Sequence, residues 1–241
     1  MGTDHIVKAF DQDLKHIDAV IAEMGGLVEA QFADAIETMI RRDAERAERI
    51  IANDERVDAL EKDLDRGIIK MIALRQPMAD DLRMLIVALK IGSSIERIGD
   101  YARNIARRTL TLAQAPSMPA AQTVARLGQL VQRMLKNVLD AYLTRDADKA
   151  EDVRRSDREV DAMYTSLVRE LLTYMMEDPR NITPCTQLMF AAKNIERVGD
   201  HITTIAENVI YLVRGDLLEN KRPDDGPGPL TVIPGGTPTP S

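Results

Sequence analysis

Ile95-Glu96-Arg97-Ile98-Gly99-Asp100 and Ile195-Glu196-Arg197-Val198-Gly199-Asp200 are one phrase written twice, 100 positions apart. Reading back from each copy, the agreement continues. Asp54-x-x-Val57-Asp58-Ala59 returns 103 positions later as Asp157-x-x-Val160-Asp161-Ala162. At the same offset Arg42-Asp43-Ala44-Glu45-Arg46-Ala47-Glu48 returns as Arg145-Asp146-Ala147-Asp148-Lys149-Ala150-Glu151. The 241 residues therefore hold one unit twice, with three residues fewer in the second unit's last inter-helix turn. A repeat of this length decides the architecture before any single element is assigned.

Around these phrases the apolar residues fall at steps of three and four. Ile6, Phe10, Leu14, Ile17, Ile21, Met24, Val28, Phe32, Ala35 and Met39 mark the buried stripe of a long first helix. Gly25-Gly26 is a candidate kink in it, and Arg41-Arg42-Asp43 its end. A second helix is expected over about 44–74. A third starts at Pro77, with Asp80 and Asp81 at the positive end of its dipole, and runs through Leu82, Leu85, Leu89, Ile95, Ile98, Ala102 and Ile105 to about Leu112. Ala115-Pro116-Ser117-Met118-Pro119 is a linker, after which helices are expected over about 120–144, 147–176 and 183–213. On the last of these Ile195, Val198, Ile202, Ile205, Val209 and Leu212 form a seam. The expected fold is all-α, two tandem three-helix bundles over 5–114 and 119–215, followed by a Pro/Gly-rich disordered tail over 216–241.

Composition narrows the function. With 44% hydrophobic and 29% charged residues the chain is a globular protein, and 3% aromatics with no Trp suits packed helices. A net charge of −7 argues against nucleic acid and against direct docking on an anionic membrane, both of which need clustered Lys and Arg. Cys185, the single cysteine, rules out an intrachain disulfide and a C-x-x-C site, and reads as apolar filler. The start, Met1-Gly2-Thr3-Asp4-His5, lacks a signal peptide's apolar core, and the run Met84 to Leu89 is too short to span a membrane. A cytoplasmic location is expected.

Chemistry, if there is any, rests with acidic pairs spaced i, i+4, which share a helix face: Asp54/Asp58 and Glu96/Asp100 in the first unit, Asp157/Asp161 and Glu196/Asp200 in the second. Each pair weakens its helix by a few tenths of a kcal/mol unless a cation compensates. All-oxygen ligation suits Mg²⁺, Mn²⁺ or Fe³⁺, and Zn²⁺ less. The competing reading pairs these acids with Arg56, Arg97, Arg158 and Arg197 as solvated salt bridges. Gly99 and Gly199 sit in mid-helix, where Gly costs about 1 kcal/mol against Ala; they mark close packing and leave room beside the acids. His201 adjoins Asp200 but points about 100° away, and Tyr101 matches it in the first unit. Asp13-x-x-His16 has no counterpart and reads as surface, and the methionines read as core. With no Glu-x-x-His, no P-loop and three histidines in all, an oxidase, a nucleotide enzyme and a Ser-His-Asp hydrolase have few candidate residues.

Glu96-Arg-Ile-Gly-Asp-Tyr101 and Glu196-Arg-Val-Gly-Asp-His201, together with Met24-Gly-Gly-Leu27, Met176-Glu-Asp-Pro-Arg180 and Ile205-Ala-Glu-Asn-Val-Ile-Tyr-Leu212, resemble the PhoU family of phosphate-regulon regulators over about residues 5–214. The resemblance implies two three-helix bundles side by side, usually as a homodimer. It implies a cytoplasmic negative regulator that couples the phosphate ABC transporter to its membrane sensor histidine kinase. Such a protein holds the phosphate-starvation response off, restrains uptake, and meets the membrane only through its partners. Metal clusters (Fe, Mn, Mg or Zn) bound by some members map onto Asp54, Asp58, Glu96, Asp100, Asp157, Asp161, Glu196 and Asp200. Thr204 departs from the pattern, standing where the first unit has Asn104, and the Pro-rich tail lies outside it. The implied function is not enzymatic. The alternatives are a metal-dependent carboxylate-bridged hydrolase or oxidase and a purely structural scaffold.

Overall fold

The computed structural model describes residues 2–52 and 55–215, with side chains from residue 12 onward. Its helices are α1 (Gly2–Arg41), α2 (Ala44–Ala52), α3 (Glu55–Arg75), α4 (Asp80–Leu112), α5 (Ala120–Thr144), α6 (Ala147–Glu177) and α7 (Ile182–Arg214), with a 3₁₀ turn at Pro179–Asn181 before α7. No strand occurs among the described residues. The expected tail over 216–241 lies outside them, as do Asn53 and Asp54. The helix expected over 44–74 is thus described as α2 and α3, on either side of those two positions.

Two repeated dipeptides punctuate the units. Arg42 and Arg145 take left-handed φ values of 57° and 54°, which end α1 and α5. The aspartates that follow cap the next helix: Asp43 Oδ1 accepts from Arg46 N at 2.9 Å, and Asp146 Oδ1 from Asp148 N and Lys149 N at 3.1 and 2.9 Å. The Arg42 guanidinium also donates to the carbonyls of Leu112, Ala113 and Ala115, satisfying orphan acceptors at the end of α4. Pro77, expected as the first residue of the third helix, lies instead in a turn. Gln76 and Ala79 on either side have φ near 48°, which no right-handed helix accepts, so α4 begins at Asp80.

The stripes named above form the core wherever side chains are described, Ile6 and Phe10 lying outside that range. Ile21, Met24, Val28, Phe32, Ala35 and Met39 of α1 are buried, as are Ile95, Ile98, Ala102 and Ile105 of α4 and Ile195, Val198, Ile202, Ile205 and Val209 of α7. Each large side chain buried this way contributes about 1.5–3 kcal/mol. Cys185 is buried among them. Leu82, expected in the α4 stripe, is exposed near the helix start, and Leu89 is only partly buried. Met78 and Met176 depart from the other methionines: they stand out from the α3–α4 and α6–α7 turns at 80% and 87% exposure.

α1 packs on α2, α3 and α4 to form one bundle, and α5 on α6 and α7 to form the other. The bundles join along α4–α7 and α1–α5, giving one continuous core. Contacts across the junction come in repeat-related pairs. A Cβ on Gly25 would lie 2.8 Å from Leu139 Cδ2, and one on Gly128 2.7 Å from Ile36 Cδ1. Gly128 and Leu139 are the 103-offset counterparts of Gly25 and Ile36, so a pseudo-twofold axis relates the units. Gly25 is therefore a site of close helix approach, and α1 runs through Gly25-Gly26 as one helix.

Candidate acidic sites

α4 and α7 cross antiparallel at the axis, with Arg83 over Tyr211 at one end and Arg108 over Phe190 at the other. Tyr101 and His201, counterparts in the repeat, meet there at 5.7 Å between ring centroids and 35° between planes. Arg197 lies over the Tyr101 ring at 5.8 Å. Burial first, and Arg97 second, hold the His201 imidazole below its ordinary pKa against the opposing pull of Asp200. His201 thus serves the crossing of two helices, a contact that its pairing with Tyr101 in the repeat did not disclose.

Each unit presents its Glu-x-x-x-Asp motif beside the crossing, facing the preceding helix. In the first unit Asp58 and Glu61 on α3 approach Glu96 on α4. Burial, then the neighbouring Asp100 and Glu61 carboxylates, push Glu96 up to about 7, with Arg97 opposing. Glu61 is raised too, by burial and then Asp65, while a hydrogen bond from Ser93 opposes. Asp100 is held by Arg103, one turn along α4. Arg97 stays at 3.9 Å from Glu96 and 4.0 Å from Asp100, so it screens without pairing closely. Asp54 lies outside the described residues.

In the second unit Asp157 reaches the α7 backbone: a Cβ on Gly199 would lie 3.5 Å from its Oδ1. Burial first, then Asp200 and, least, Asp161 on α6, raise the pKa of Glu196. Lys193 opposes them, its Nζ 2.6 Å from Glu196 Oε2 and 5.4 Å from the Tyr164 ring centroid. The Thr204 departure is local: its hydroxyl donates to Asp200 O at 3.0 Å, whereas Asn104 accepts from Arg107 at 3.3 Å.

Seven of the eight candidate acids can therefore be placed, and in each unit those of the middle helix face those of the last. As they stand, no three His, Cys, Asp or Glu side chains among the described residues come together closely enough to hold a metal ion. Of the arginines in the salt-bridge reading, Arg97 lies at ion-pair distance from Glu96 and Asp100, while Arg56 and Arg197 are engaged elsewhere. Arg56 pairs with Glu23 at 2.6 Å and Arg197 lies on a ring, while Arg103 and Lys193 take Asp100 and Glu196. Glu61, Ser93, Arg103, Tyr164 and Lys193 were not singled out in the sequence. The signal was there: Glu61, Arg103 and Lys193 each lie three residues from a motif acid, on the same helix face.

No helix among the described residues is long and apolar enough to cross a membrane. The sequence matches the PhoU domain twice, over residues 21–109 and 124–209. It is 49% identical over 222 residues to the phosphate-specific transport system accessory protein PhoU homolog of Caulobacter vibrioides, covering 92% of this chain and 96% of that protein. It is 45% identical over 227 residues to the homolog of Rhizobium meliloti, covering 93% and 95%. Its fold superposes on the crystal structure of PhoU from Pseudomonas aeruginosa with a TM-score of 0.84 at 40% identity, covering 86% of this chain and all of that one. The phosphate transport system regulatory protein PhoU from Streptococcus pneumoniae gives 0.81 at 28% identity, covering 87% and 99%. With both bundles matched and the repeat intact from end to end, the chain belongs to the PhoU family.

Proposed function

We propose that this chain is a non-enzymatic regulatory adaptor of phosphate transport. It acts in the cytoplasm as a homodimer, couples the phosphate ABC transporter to its sensor histidine kinase, and biases the kinase toward its phosphatase state. With phosphate plentiful it holds the starvation response off and restrains uptake. The observation that carries this reading is 49% identity, across nearly the whole length of both chains, to a protein named as an accessory of the phosphate-specific transport system. A metal on the acidic motifs would stiffen a bundle or shape a docking surface.

Two features of the molecule support an adaptor. Leu74, Met78, Met176 and Ile182 stand exposed around the two helix-hairpin tips, the kind of apolar surface that partner proteins cover. The Cys185 thiol is buried and its pKa raised, and the His201 ring packs on Tyr101, so neither is placed as a nucleophile or a general base. The test is co-purification of the tagged chain from membranes of phosphate-replete cells. Recovery of the transporter's ATPase subunit and the kinase is expected, reduced in a Met78→Asp/Met176→Asp variant. Recovery of neither from wild type contradicts the reading.

A further inference from the structure

Away from the acidic motifs, a cleft of about 260 Å³ opens between the start of α1 and the end of α3. Ile17, Met71 and Leu74 form its apolar wall, with Lys70 and Arg75 on its rim. Arg75 is taken up by Asp13 at 2.8 Å, so the exposed Lys70 ammonium is the charge the rim presents. Gly67 lies on the same cleft in the middle of α3, and a Cβ there would meet nothing within 4 Å. Close packing, the reason for Gly25 and Gly128, does not account for it, and alanine would favour the helix. What the missing side chain does is keep the cleft open. In the second unit Pro116, Pro119, Glu170, Thr173 and Asp178 stand where the first has Asp13, His16, Gly67, Lys70 and Arg75.

The charge is thus reversed at the second hairpin tip. Met176 stands out from it almost fully exposed, and Glu177 beside it is exposed too. Asp178 is paired with Arg180 at 2.7 Å. Glu177 ends α6 at the negative end of its dipole, with no basic residue in the last turn, where a cation from outside would be favoured. The cleft is smaller than the roughly 300–1,000 Å³ of small-ligand pockets and suits a single side chain. An apolar side chain next to a carboxylate matches an apolar wall with a lysine on its rim.

We infer that the α1–α3 cleft docks the α6–α7 tip of a second copy of this chain, Met176 entering against Ile17, Met71 and Leu74 while Glu177 meets Lys70. A chain cannot fill its own cleft: α4 and α7 run antiparallel, so the two tips lie about 50 Å apart along the 33 residues of α4. The contact joins two unlike surfaces, so two chains each spoiled on a different side still share one intact contact. It stands without the adaptor reading; where that reading holds, self-association hides Met176 from partners.

The test is sedimentation equilibrium of the full chain over a concentration series. Wild type should associate, less at high salt. Lys70→Glu should weaken association about tenfold, since an attraction across the rim becomes a repulsion. Lys70→Glu/Glu177→Lys, which exchanges the charges, should restore it. Gly67→Leu, which fills the cleft, and Met176→Asp should each abolish the contact. Gly67→Leu should melt no lower than wild type, because no neighbour opposes the side chain. Mixed together, these two variants should associate again, Met176 of the first entering the cleft of the second. Wild type that stays monomeric throughout overturns the inference. So does association that Gly67→Leu and Met176→Asp leave intact, or that the charge exchange does not restore. The adaptor reading fails separately, in the recovery of transporter and kinase from membranes.

Discussion

Glu96 shows how far crowding alone can move a carboxylate. Its pKa is about 7 in the folded chain against an ordinary 4.5. Between those values the folded state keeps a proton that the unfolded state has lost. Its contribution to stability is thus full below the unfolded pKa and is lost as pH rises to about 7. Glu96→Gln should flatten that decline and melt above wild type at pH 8 in chelator, by about 1 kcal/mol once solvent screening is allowed for. Melting curves at pH 5 and pH 8 check it; equal pH dependence in both proteins would contradict it. The sequence exposed Glu96 through its repeat but not Glu61 or Lys193. A motif defined by two acids says nothing of the third side chain one turn away, and the crossing from α3 to α4 is a tertiary fact.

At the scale of elements, helices with unbroken stripes were readable because burial is periodic. α5 begins at Ala120 and ends at Thr144 as its pattern indicates. The start of α4 was not readable, because Pro at a helix start and Pro within a tight turn look alike in sequence. Gly25-Gly26 makes the same point. The pair reads as a kink, yet its two members do different work: Gly25 faces Leu139 at 2.8 Å from where its Cβ would be, and Gly26 faces open space. Gly25→Val should therefore cost about 1–3 kcal/mol by overpacking the α1–α5 crossing. Gly26→Ala should gain up to about 1 kcal/mol, since it adds helix propensity and meets nothing. Chemical denaturation of the two variants checks the pair, and similar effects from both would refute the assignment.

For the whole molecule, the repeat predicts two bundles, and the pseudo-twofold axis explains why they behave as one body. The α4–α7 and α1–α5 contacts run the cores together, so neither bundle closes its apolar surface alone. Calorimetry of the intact chain should show a single transition with matching van't Hoff and calorimetric enthalpies; two separated transitions would show independent bundles. The same arrangement sets the two acidic motifs beside one crossing and leaves the hairpin tips free at either end, which suits an adaptor that meets partners at its surface. That claim is tested most directly by deleting the gene and reading a phosphate-starvation reporter in phosphate-rich medium. A reporter switched on is expected, and switched off again when the wild-type chain is restored. A reporter that stays silent in the deletion strain would contradict it.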